Sequence, residues 1–195
     1  MTHRRIVHSL TVLSVLLAIL LFGSDRALAH CDTMDGPVVK AAQRALATRN
    51  INLVLIWVQK KDEPEIKERF RQTLAVRRLS REARKLADNY FFETLVRLHR
   101  AGEGEPYTGI QPAGTDLGPV IPVADKALQD GSVEALLKLF PSTASADIQT
   151  RFRNAIARKS FNENDVEAGR EYVKEYVSLM HYLEHLYEEK RSASE

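Results

Sequence analysis

Val166–Lys190 reads VEAGREYVKEYVSLMHYLEHLYEEK. Val166, Val173, Val177, Met180 and Leu183 recur at helical spacing, and charged residues fill the positions between them. That period predicts one long amphipathic helix over about 164–190. A helix of that length with a single apolar stripe needs neighbours to cover the stripe. Upstream, Ile148, Phe152 and Ile156 predict a helix near 144–159. Short helices follow from the pattern at about 122–130 and 133–140, the second capped by Ser132.

The same period runs through the first half. Val38, Ala42, Ala45, Leu46, Leu53, Ile56 and Trp57 predict a first helix over roughly 37–60, opened by the turn Asp35-Gly36-Pro37. Asp62 caps a second helix with Pro64 in its first turn. Ile66, Phe70 and Leu74, then Leu86, Phe91, Phe92, Leu95 and Leu98, carry it to about Ala101, with a break at Leu79-Ser80. Gly102 ends it. Residues 102–120, GEGEPYTGIQPAGTDLGPV, form a long Gly/Pro-rich loop of a length that is often functional or disordered, with a plain crossover connection as the alternative. Residues 191–195 read as a frayed tail. No β-alternation and no internal repeat occurs. The expectation is an all-α up-down helical bundle of four main helices plus short ones, as a single domain over 30–190.

Residues 1–29 read as a secretory signal. Arg4 and Arg5 precede an apolar run from Leu10 to Gly23, and Ala27-Leu28-Ala29 suits a signal peptidase. That run is short for a membrane span of roughly 20 residues. Cleavage after Ala29 predicts a periplasmic or secreted protein with no membrane anchor and His30 as its first residue. Of 28 Lys+Arg and 26 Asp+Glu, three basic residues (Arg4, Arg5, Arg26) and one acidic (Asp25) precede His30, so the rest balances at 25 of each. A near-zero net charge does not favour nucleic acid or an anionic membrane as partner.

Cys31 is the only cysteine, so no intramolecular disulfide exists. In an exported chain its thiol reads as a metal ligand, an intermolecular disulfide or a lipid attachment. The lipoprotein pattern wants a small residue where His30 stands. A terminal His30 offers an α-amine and an imidazole, and Cys31 adds a thiolate. That donor set suits copper or nickel ahead of zinc.

The other histidines after residue 29 are His99, His181 and His185. His99 follows Phe92 and Leu95 on an apolar face, and His181 follows Val173 and Val177 on another. In an up-down bundle His30, His99 and His181 meet at one end, provided that Leu79-Ser80 is a kink and not a reversal. The expected metal ligands are therefore His30, Cys31, His181 and His99. Glu184 and Asp35 stand behind them, and His185 and Glu103 are further candidates. His181–His185 also matches the H-x-x-E-H string of inverted zinc peptidases, without an obvious third ligand. Tyr172, Tyr176, Tyr182 and Tyr187 read as ordinary helix packing.

His30-Cys31-Asp32 followed by Gly36 resembles the N-terminal hook of nickel superoxide dismutases, which are four-helix bundles cleaved so that the hook's His is residue one. The resemblance implies His30 and Cys31 as ligands and Asp32 and Gly36 as the hook frame. The family's second thiolate position is Asp35 here, its proline position Met34 and its tyrosine position Val38. The chain also looks like an uncharacterised exported helical family of bacteria that shares the His-Cys-Asp-Thr start. The expected function is metal binding, with superoxide dismutase-like redox activity as the most concrete chemistry. A periplasmic metal carrier or sensor without turnover, and an interaction bundle with a free thiol or a homo-oligomer, are the rivals.

Overall fold

The computed structural model describes residues 30–192. The expected signal at 1–29 and the end of the expected tail, 193–195, lie outside the described residues. A 3-10 turn at His30–Asp32 opens the described chain. Eight α-helices follow: α1 (Pro37–Thr48), α2 (Asn52–Leu55), α3 (Glu63–Val76), α4 (Arg81–Glu103), α5 (Val120–Asp130), α6 (Glu134–Leu137), α7 (Ser145–Arg158) and α8 (Val166–Ser192). The class is all-α, as the apolar period predicts, with no strand among the described residues.

The expected first helix is two helices. Pro37 opens α1, which buries Val38, Val39, Ala42, Ala45 and Leu46. Arg49 then adopts the left-handed conformation at φ 57° and ends it. Asn50 turns the chain by accepting the Asn52 amide at 3.1 Å. From there the backbone returns towards the end where it began: Trp57 meets His99, and Gln59 donates to the Gly102 carbonyl at 2.7 Å.

Leu79-Ser80 is a full reversal and not a kink. Ser80 caps α4 by accepting the Ala83 amide at 3.0 Å. Phe70 stacks near Phe91 with ring centroids 5.6 Å apart. Arg77 holds Asp88 with two bonds of 2.8 and 3.0 Å and reaches the Leu46 carbonyl at 3.0 Å. So α3 and α4 form an antiparallel hairpin whose tip lies beside the far end of α1. The two unforeseen reversals cancel, and the end of α4 returns to the His30 end of the bundle.

The core lies between α1, α4, α5, α7 and α8. Val38, Phe91, Leu95, Ile148, Leu179 and Leu183 are fully enclosed there. Gly169 lets α8 approach the α2 exit, because a Cβ there would sit 2.3 Å from Ile56 Cγ2. Arg151 ties α7 to α8 by bonding Ser178 at 2.7 Å and lying over the Tyr182 ring. Some expected positions differ. Leu86 is 72% exposed, and Val177 and Ile156 are only half-buried. Ser132 does not cap α6, because its hydroxyl bonds the Glu134 carboxylate instead of a backbone amide. α8 continues through Arg191 and Ser192, where fraying was expected.

Candidate functional site

The His30–Thr33 segment is buried, an unusual place for a polar stretch. Its seat comes from two neighbours. Gly36 folds back on it by donating to the Thr33 carbonyl at 2.9 Å, and a Cβ on Gly36 would meet the His30 carbonyl at 2.4 Å. The long loop, which spans 104–119, lies along the other side. Gln111 donates to Asp32 at 2.8 Å and accepts from Met34 at 2.9 Å, forming an isolated parallel bridge. Asp35 faces this loop and accepts the Gly114 amide at 3.1 Å. A bond from the Thr33 side chain, and after it the Gly114 bond, holds its carboxyl below the usual range.

His30 sits in a triangle with α5 and α8. Its Nε2 lies 2.8 Å from Asp125 Oδ2, and its Nδ1 lies 3.1 Å from the Tyr176 hydroxyl. Tyr176 also bonds Asp125 at 3.0 Å. Beside this triangle His30, Cys31, His181 and Glu184 line one pocket together with Tyr176, Val177 and Met180. The pocket measures about 10 Å³, room for a water-sized occupant. His181 and Glu184 also face a wider cleft of about 480 Å³ that carries Arg100, Glu105, His185 and Glu188 on its walls. These two side chains therefore stand between the inner pocket and the outer cleft.

Behind the pocket lies a buried charge cluster on the last turn of α4. Arg100 is 2% exposed and faces three carboxylates: Glu103 at 3.1 Å, Asp32 at 3.6 Å and Glu105 at 3.7 Å. One guanidinium cannot balance this set together with Glu184. Burial raises the Glu103 and Glu184 carboxyls to about 7 and Asp32 to about 6. Burial also pushes the Cys31 thiol well up, and the charges of Glu103, Asp32 and Glu184 add to it. In this state Cys31 is a neutral thiol and not a nucleophile.

His99 completes the cluster. Its Nδ1 lies 2.9 Å from the Trp57 carbonyl, which can only accept, so Nδ1 carries the proton. Burial holds the imidazole down to about 4, so Nε2 is a bare acceptor. Nε2 and Glu103 Oε1 lie 3.2 Å apart, and each is buried with no other hydrogen-bond partner. A proton kept on Glu103 satisfies both atoms at once, with the carboxyl donating to the imidazole. The other Glu103 oxygen lies 3.9 Å from His181 Nε2. Glu103 thus links His99, Arg100 and His181.

The structure brings His30, Cys31, His181 and Glu184 to one pocket. His99 stands one layer behind, bonded to Trp57 and facing Glu103. His181 is partly open, with its side chain 39% exposed. Asp35 points to Gly114 in the loop, and His185 is on the outer cleft beside Glu189. Among the described residues no group of three or more His, Cys, Asp or Glu is already arranged to hold a metal ion. Sequence reasoning missed Asp125, Arg100 and the role of Tyr176. Tyr176 does fall on the 173–176–180–183 inward stripe, so a signal was there for it, whereas Arg100 and Asp125 carried none.

A family of unknown function (DUF6448) matches residues 35–182, and the chain belongs to it. The match begins just after the His30–Met34 segment. No curated protein matches the chain. No solved structure matches it either.

Proposed function

We propose that the protein is an exported metal-binding protein that takes one copper or nickel ion between His30, Cys31, His181 and Glu184. The observation that carries this reading is the convergence of two imidazoles, a thiol and a carboxyl on one ion-sized pocket. The electrostatics favour the same occupant. The cluster holds more carboxyls than buried cations, and a cation would offset the burial, and the neighbouring negative charges that add to it, which keep Cys31, Glu103 and Glu184 protonated. Thiolate with imidazole suits copper or nickel ahead of zinc, and the Met180 thioether on the same wall is a soft neighbour. Cleavage after Ala29 would add the His30 amine to the set. Binding requires His30 to turn from Asp125 and Tyr176, so the site closes on the metal and is not preformed. His99 then acts through Glu103, fixing it against His181.

Among the activities such a site could have, reversible binding as a carrier or sensor is favoured over superoxide dismutation. The position of the dismutase hook's second thiolate is Asp35, which turns to Gly114 and away from the pocket. The open cleft behind His181 and Glu184 offers a route for metal exchange. A thiol-linked complex is disfavoured because Cys31 is only 7% exposed.

The test is titration of the exported protein with copper, nickel and zinc, followed by near-ultraviolet absorption. The expected result is a thiolate-to-metal band at one equivalent of copper or nickel, absent in Cys31→Ser and at least tenfold weaker in binding in His181→Ala. Equal binding by wild type and Cys31→Ser overturns the reading. Metal-dependent superoxide removal above that of free metal would restore the dismutase.

A further inference from the structure

At the other end of the bundle the α3–α4 hairpin ends in a different kind of surface. Arg49, Arg71, Arg77, Arg78 and Arg84 surround a cavity of about 410 Å³ floored by Leu74 and Ala75. Arg77 is committed to Asp88, and Arg71 to Glu68. Arg49 and Arg78 are exposed and make no hydrogen bond or ion pair among the described residues. Lys85 adds exposed positive charge on the first turns of α4, where Arg81 lies 3.7 Å from Glu82.

The same hairpin carries every large exposed apolar side chain among the described residues: Val76, Leu79, Leu86 and Tyr90, with Leu79 and Leu86 more than 70% exposed. Scattered exposed leucines need no explanation. Concentration of all of them in one hairpin, whose turn also carries the unpaired Arg78, does. Leu79 sits in the turn itself, at the most distal point of the hairpin. The near-zero charge of the chain after residue 29 argues against an anionic partner only if that charge is evenly spread, and here it is not.

We propose that this tip docks the protein on an anionic lipid bilayer, with the arginines on headgroup phosphates and Leu79 and its apolar neighbours in the acyl boundary. A soluble polyanion would engage the arginines and leave the leucines in water. A second copy of the chain would set arginine against arginine. An anionic bilayer accounts for both halves of the patch, because guanidinium pairs with phosphate and apolar side chains enter the interface. The contact is peripheral: no helix among the described residues is long and apolar enough to cross a membrane. This surface lies apart from the metal pocket and does not depend on it.

The test is co-sedimentation of the exported protein with vesicles of equal parts phosphatidylglycerol and phosphatidylcholine, against phosphatidylcholine alone. Binding is expected only to the anionic vesicles and should weaken as salt is added. Arg49→Gln and Arg78→Gln should each weaken it about fivefold, and Leu79→Asn about tenfold. All three sites are exposed, and unchanged circular dichroism confirms that the variants fold. Equal binding to both vesicles, or variants that bind like wild type, overturns the proposal. So does inorganic polyphosphate binding that survives Leu79→Asn while vesicle binding is absent, which assigns a soluble anion. A dimer in sedimentation velocity that these variants abolish assigns self-association.

Discussion

α4 joins two regions with opposite imbalances. Its C-terminal end buries Arg100 among carboxyls that it cannot all pair. Its N-terminal end, with the α3 hairpin, exposes leucines and leaves Arg78, and Arg49 beside it, without an acid. The first imbalance is costly inside a fold and persists only with protons or a cation to offset it. The second is cheap in water and costs almost nothing until a partner arrives. Each departs from the ordinary rule that polar groups stay outside and apolar groups inside, and such departures mark working surfaces.

The largest effect separating the regions is expected at Arg100. Arg100→Ala leaves Asp32 and Glu103 buried without a cation and should destabilise the fold by about 3–5 kcal/mol in urea denaturation. A loss under about 1 kcal/mol would break the claim that this end is held by one guanidinium. Next is the dependence on pH. Glu103 and Glu184, raised to about 7, and Asp32, raised to about 6, keep protons in the native state that the unfolded chain has released. Stability should therefore fall as pH rises from about 4 to 7. His99, held down to about 4, works in the opposite sense over pH 4 to 6.5, and His181 is also lowered. The carboxyls outnumber them, so the metal-free protein should be more stable at pH 5 than at pH 7.5. Glu103→Gln should flatten that slope while its amide still donates to His99. An unchanged slope would remove Glu103 from the cluster.

Gly36→Ala should cost about 1–3 kcal/mol, read as a lowered urea midpoint, because the new Cβ displaces the His30 carbonyl. The smallest effect belongs to the tip. Leu79→Asn and Arg78→Gln should shift stability by no more than about 0.5 kcal/mol by the same method. A larger shift would mean that the tip serves the fold and not a partner.

Fold class and most helices were legible because a stripe of period 3.6 is written in the residues themselves. The reversals were not. Apolar positions on either side of Arg49 or Leu79-Ser80 continue the same pattern whether the chain bends or turns back. Ser80 showed its cap chemistry, yet a cap marks a helix start and not a direction. Arg49 hid its turn, since an arginine in left-handed backbone has no sequence signature of the kind glycine provides. At the site, His30, Cys31 and His181 were visible by ligand type, and Glu184 by its spacing from His181. Asp125 was invisible, because its role depends on α5 crossing α8 at Tyr176. The buried state of Arg100 was invisible for a related reason: the loop and the His30 turn that cover it are distant in sequence.

The most direct test of the metal reading is intact mass together with elemental analysis of the protein recovered after export from a bacterial host. The account predicts a chain beginning at His30 with about one copper or nickel ion, and loss of that metal in Cys31→Ser. A chain beginning at His30 that carries no metal and resists loading would contradict it.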